Sequence, residues 1–177
     1  MSEFTFTEEQ RFNKKVILPL IVLITALTVV LLCWGIIQQL ILGKPFGDHP
    51  VSDTSLVITT IFIFIFILVM DWLFLNIKLV TEINSNTISY RFYPFILRDR
   101  FIYWEDIENA YIRQYKPLKE YGGWGIRFGF GGKGRAFNVS GNFGLQLELK
   151  NGKKLLIGTQ KPQELEALLR TLGKISS

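Results

Sequence analysis

A chain of 177 residues, 49% of them apolar, can hold one modest domain and an additional element. It carries 20 basic and 15 acidic residues, a net charge of +5. Its single cysteine, Cys33, excludes an internal disulfide framework and a cysteine zinc cluster, and reads as a small packing residue.

Residues 1–15 read as a polar N-terminal tail, with Glu3, Glu8, Glu9, Arg11, Lys14 and Lys15. Thr7-Glu8-Glu9-Gln10 has capping-box spacing and predicts a helix starting near Glu8. The first apolar block spans about 16–42. Val16 to Ile37 contains no charge, and at ~1.5 Å per residue it is long enough to cross ~30 Å of hydrocarbon. Thr25 and Thr28 can bond back to their own helix. The run is too long for a cleaved leader, and no small-residue cleavage site follows it.

A second block, 55–75, centres on the alternating Ile and Phe residues 61–67. That pattern favours a strand in water, but a lone strand in a bilayer leaves its backbone unpaired, so a helix is expected. Asp71 precedes Trp72 near the end of the block and reads as an interface anchor. The short connection holds the only histidine, His49, which reads as solvated. Residues 16–75 are therefore expected to form a two-helix transmembrane hairpin. Arg11, Lys14 and Lys15 outnumber Lys44 in the connection, which places both termini in the cytoplasm and the chain in the inner membrane as a multi-pass protein.

From Ile77 the composition changes. This part holds 16 basic and 9 acidic residues, a charge of +7, against 4 basic and 6 acidic residues before it. A basic domain beside a membrane suits an anionic leaflet. Strands are predicted at 78–83, 87–93, 98–104, 110–115, 124–130, 135–139, 145–150 and 153–157, with a turn at Asn84-Ser85-Asn86, a bend at 105–107 and a loop from Pro117 to Gly123. Asn151-Gly152 predicts a two-residue hairpin turn with two positive φ angles. Leu165, Leu168, Leu169 and Leu172 recur at helical spacing between Pro162 and Gly173, an amphipathic helix over 162–173 that caps the β-domain.

Gly129-Phe130-Gly131-Gly132-Lys133-Gly134 matches G-x-G-x-x-G, but a strand pattern follows where a dinucleotide site needs a helix, so it reads as a hairpin loop. Trp124, Arg127, Phe128, Phe130, Arg135 and Phe137 interleave aromatic and basic groups. Their period of two reads as one core face and one wet face rather than a nucleic-acid platform. The part from Ile77 on has neither His nor Cys, Ser140 has no evident base, and Glu105 and Asp106 would point to opposite faces of a strand. No catalytic residue, cofactor site or metal site is assigned, and the reading is a non-enzyme.

About seven antiparallel strands and a capping helix over 76–177 resemble the pleckstrin-homology fold. A two-span hairpin followed by this unit resembles the bacterial PH-like membrane proteins of uncharacterised function. The strings that carry the likeness are Gly122-Gly123-Trp124-Gly125-Ile126-Arg127, Asn138-Val139-Ser140-Gly141-Asn142 and Gly158-Thr159-Gln160-Lys161-Pro162. Lipid-binding members grip inositide phosphates with a basic first hairpin loop. The loop taken as its counterpart, Asn84-Ser85-Asn86, has no base, which argues against specific phosphoinositide binding. The resulting expectation is a binding or scaffold module at the inner leaflet, integral in the lipid bilayer, for a protein partner or an anionic membrane surface. Its contact residues are Tyr121, Gly122, Gly123, Trp124, Lys133 and Arg135, with the glycine loop from Gly131 to Gly134. The alternatives are an accessory or assembly subunit recognised through the hairpin and, third, an inner-leaflet hydrolase or transferase.

Overall fold

A computed structural model describes residues 5–175, which divide into two units: Asn13–Asn76, and the residues up to Phe12 together with those from Ile77 on. The chain therefore begins in one unit, leaves it and returns.

The first strand, β1 (Phe6–Arg11), lies where the capping-box spacing predicted a helix. It pairs antiparallel with β2 (Lys78–Ile83), Phe6 opposite Ile83 and Arg11 opposite Lys78. The prediction failed because the polar side chains of β1 face inward. Phe6, Glu8 and Gln10 are buried while the residues between them are exposed, so Glu8 and Gln10 occupy core positions. Burial of such groups requires partners. The Glu8 carboxylate accepts hydrogen bonds from the Thr159 hydroxyl (2.7 Å) and the Gln160 N–H (2.6 Å), and the Gln10 amide donates to the Gly158 carbonyl. These partners lie at the far end of the sequence, out of reach of any local pattern.

Between β1 and β2 run α1 (Lys14–Ile36), extended by a π-helical turn over Ile37–Ile41, and α2 (Asp53–Asn76). Asn13 caps α1 by accepting from the Lys15 N–H. Both helices are long and apolar enough to cross a membrane. Within this unit the Thr25 hydroxyl donates to the Asp71 carboxylate at 2.8 Å, so the acid read as an interface anchor also links the two helices. Thr28 bonds back to the Ile24 carbonyl.

In the β unit, β2 continues to β3 (Thr87–Tyr93) and β4 (Arg100–Tyr103), completing a four-stranded antiparallel sheet in the order β1-β2-β3-β4. After a 3-10 turn over Trp104–Asp106 come β5 (Ile107–Gln114) and the single-turn helix α3 (Pro117–Tyr121), where a loop was predicted. A hairpin of β6 (Gly125–Phe128) and β7 (Arg135–Asn138) follows, then β8 (Phe143–Leu149), β9 (Lys154–Thr159) and α4 (Pro162–Thr171). The second sheet runs β5-β8-β9-β7-β6.

Two details depart from the expected seven antiparallel strands. There are nine strands among the described residues, because β1 adds to the eight segments read from the sequence, which include the β6–β7 hairpin. One pair, β7 with β9, is parallel, Arg135 opposite Leu155, because β6 and β7 lie beyond β9 instead of following β5. The β8–β9 turn also differs. Leu149 N–H bonds to the Lys153 carbonyl and Gly152 alone has positive φ (77°), so Lys150-Asn151-Gly152 form a three-residue loop with glycine in the left-handed position. The core lies between the two sheets, with Leu79, Ile88, Phe92, Phe137, Leu147 and Ile157 fully enclosed. Leu165 and Leu169 of α4 are buried in it, as the leucine stripe predicted.

Candidate contact surface around the glycine turn

Pro117 starts α3 at a position where its missing N–H costs nothing, and Gly122, at φ 70°, ends it in the left-handed conformation. One turn of helix is held in place by Glu120. Its Oε2 accepts from Arg113 Nη1 of β5 (2.9 Å) and from Lys133 Nζ of the glycine turn (2.8 Å). Its Oε1 accepts the Lys116 N–H (2.8 Å). One carboxylate thus ties together β5, α3 and the β6–β7 connection.

Burial disfavours the charged carboxylate, but the hydrogen bonds from Lys133, Lys116 and Arg113 outweigh it and hold Glu120 at about 2. A depressed folded-state pKa contributes stability above the ordinary carboxylate range and loses it as pH falls through the folded value. Between pH 4.5 and about 2, Glu120→Gln should therefore flatten the pH dependence of unfolding seen in denaturant titrations. At neutral pH the same change should cost about 1–3 kcal/mol, as expected for charged hydrogen bonds.

Tyr121, named from sequence as a contact residue, is buried at 2% exposure. Its ring meets Tyr115 edge to face at 5.9 Å, and its hydroxyl accepts from Arg113 Nη2 and donates to the Lys133 carbonyl. It supports the surface from below. Tyr115 is pushed up to about 12, chiefly by burial, against an opposing hydrogen bond from Asn138. Gly122 and Gly123 shape the exit from α3, both at positive φ. Trp124 is half-exposed and donates through Nε1 to the Gly141 carbonyl (2.9 Å). Lys133 is committed to Glu120, and Arg135 lies over the Phe128 ring at 4.8 Å.

The named residues fall into separate clefts. One of about 290 Å³ brings Trp124 together with Leu118, Lys119 and Asn142. Another of about 310 Å³ joins Lys133 and Gly131 to Arg113, Glu148 and Lys154. The sequence reading missed Glu120, whose role depends on residues of three elements. It also placed Phe128 and Phe130 in a two-faced strand pattern. The structure leaves them 66% and 63% exposed, because β6 is an edge strand only four residues long. With Leu118 and Trp124 they give an apolar surface among Lys119, Arg127, Lys133 and Arg135.

The glycine turn is a hairpin connection, as its sequence context predicted. Gly129 N–H bonds to the Gly134 carbonyl at 2.7 Å, and β7 follows directly. Gly129 has no room for a side chain, since a Cβ there would meet Lys133 Cβ at 2.6 Å and the Tyr121 ring at 2.7 Å.

The chain belongs to DUF6141, a family of unknown function, whose match covers residues 4–173. No curated protein matches it.

Proposed function

We propose that the chain is a membrane-anchored binding module: a PH-like β-domain into which a transmembrane hairpin is inserted, and which offers its α3 and glycine-turn surface to a protein partner at the inner leaflet. The observation that carries this reading is the pairing of β1 with β2 on either side of the two apolar helices. Two residues separate β1 from α1, and one separates α2 from β2, so the anchor and the domain are joined at two points by almost no linker.

The strand order supports the PH-like component. Without the β6–β7 hairpin, seven strands remain. Four lie in one sheet, the antiparallel series β5-β8-β9 in the other, and α4 follows. On this plan the first strand is β1, and the first hairpin connection is the apolar helical pair itself. Asn84-Ser85-Asn86 then becomes the second connection, so its lack of basic residues no longer bears on inositide binding. The anchor instead occupies the loop that lipid-binding members use for phosphate.

The contact surface combines exposed aromatic groups with an excess of Lys and Arg, a composition suited to a partner presenting apolar and acidic side chains. A photo-crosslinking amino acid at Phe128, in native membranes, should yield one stoichiometric adduct. The adduct should be lost when Phe130 and Arg127 are both replaced by Asp. Recovery of uncrosslinked protein alone would contradict the reading. A groove of about 380 Å³ within the helical unit, bordered by Leu32, Cys33, Thr60 and Phe64, favours a second role as an accessory subunit recognised through the hairpin. Exchange of the helices for an unrelated hairpin would abolish function only in that case.

A further inference from the structure

The connection between β3 and β4 carries an apolar and basic surface independent of the α3 rim. It reads Pro94-Phe95-Ile96-Leu97-Arg98-Asp99. Ile96 turns inward, packs against the core and donates its N–H to the Phe92 carbonyl at 2.7 Å. Its neighbours Phe95 and Leu97 are 59% and 63% exposed, with the Phe95 ring beside the Phe92 ring at 6.3 Å between centroids. The loop is thus held by its central residue, and its two largest apolar side chains are left in solvent. Burial of either side chain would have removed apolar area from water, so the loop exposes two large apolar groups, one on each side of Ile96, at a free-energy cost.

Basic groups surround the pair. Arg91 lies 3.7 Å from Asp99, and Arg98 and Arg100 form no ion pair among the described residues. The segment from Arg91 to Arg100 therefore carries three arginines against one acid.

Strand register locates this loop in the sheet. Arg11, the last residue of β1, pairs with Lys78, the first of β2, and Lys78 pairs with Tyr93, the last of β3. The β3–β4 connection thus leaves the sheet at the same end as both chain passages to the apolar helices. The β2–β3 turn at Asn84-Ser85-Asn86 lies at the other end, six strand residues or ~20 Å away.

We infer that Phe95 and Leu97 insert into the interfacial region of an anionic bilayer, with Arg98 and Arg100 at the level of the lipid phosphates. Exposed apolar tips, arginines without an ion pair among the described residues and short chain passages from the same end of the sheet to the spans fit this one occupant: tips for the acyl boundary and cations for phosphate. The inference rests on the transmembrane reading of the helices and adds a second point of contact with the bilayer.

The test uses full-length protein carrying Cys33→Ser, reconstituted into vesicles of phosphatidylcholine and phosphatidylglycerol. Nitroxide labels are placed singly at Leu97→Cys, Asn86→Cys and Phe64→Cys, and their collisions with oxygen and with a water-soluble nickel chelate are compared. Labels at positions 97 and 64 should favour oxygen, and the label at 86 should favour nickel. Replacement of Arg98 and Arg100 by Glu, or omission of phosphatidylglycerol, should shift the label at 97 toward nickel while leaving 64 unchanged. A label at 64 in water would remove the transmembrane reading and this inference with it. A label at 64 in lipid with 97 in water, or with 97 shielded from both reagents by protein, would overturn the inference alone. Immersion of 97 that ignores both charge changes would overturn the assignment of the arginines.

Discussion

Gly134→Ala should unfold the second sheet or cost at least about 3 kcal/mol, the combined penalty of a forced left-handed residue and an unrelieved backbone clash. Gly134 has φ 77°, and a Cβ built there lies 2.0 Å from the Lys154 carbonyl oxygen and 2.6 Å from its carbon. Neither atom is the end of a flexible side chain. Lys154 opens β9, and Gly134 immediately precedes β7, which runs parallel to β9 with Arg135 opposite Leu155. The close approach is what lets the hairpin reach the far side of β9. Gly131 supplies the control. It also has positive φ, 63°, but a Cβ there meets nothing within 4 Å, so Gly131→Ala should cost only about 1–2 kcal/mol. Urea titrations of the two variants should separate them clearly. Equal stabilities would show that the glycine run serves flexibility and not backbone contact.

Two adjacent glutamates should behave in opposite ways. Glu8→Ala removes two hydrogen bonds to a buried carboxylate and leaves the Thr159 hydroxyl and Gln160 N–H without that acceptor, a loss of roughly 3 kcal/mol. Glu9→Ala removes exposed pairs with Arg11 and Lys78, a loss of roughly 0–1 kcal/mol. Glu9 sits below its ordinary pKa, mainly through its hydrogen bond with Arg11, but its carboxylate remains in solvent. The Glu8 variant should also free β1, since Glu8 joins that strand to the end of β9. Hydrogen exchange should show faster exchange for residues 6–11 in the Glu8 variant and not in the Glu9 variant. If both variants match the parent protein, β1 is not an integral strand.

This contrast shows where the sequence was readable. The apolar helices, the leucine face of α4 and the Leu145-to-Ile157 hairpin follow local periodicity, and local periodicity found them. The alternation in β1 was present too, but Glu8 and Gln10 occupy its buried positions, and their partners are residues 158–160. Read locally, Thr7-Glu8-Glu9-Gln10 is a helix start. The parallel pairing of β7 with β9 was illegible for a similar reason. A hairpin normally adds beside its predecessor, and the close contact that carries it past β9 depends on Gly134 meeting a residue twenty positions later. Asn151-Gly152 did signal a hairpin, but Lys150 joined the loop and only Gly152 took a left-handed conformation.

The candidate surface was legible as composition and not as roles. The glycines and basic residues from 121 to 135 fall on the exit from α3 and on the β6–β7 connection. Tyr121 proved to be support, Lys133 is paired, and the most exposed apolar groups are Leu118, Phe128 and Phe130. Glu120 stood out only once Arg113, Lys116 and Lys133 converged on it. The β3–β4 loop carried its signal in the run of arginine and aromatic residues from Arg91 to Tyr103, but which of those side chains turn outward depends on Ile96 being anchored in the core.

The central claim is that the two apolar helices cross the bilayer as a hairpin inserted between paired strands of one domain. Single cysteines at Asp48 and Asn151, in a Cys33→Ser background, test it through labelling by a membrane-impermeant maleimide on intact cells and after lysis. The account predicts that the residue in the α1–α2 connection reacts from outside and the one in the β8–β9 turn reacts only after lysis. Labelling of both from the same side would contradict it.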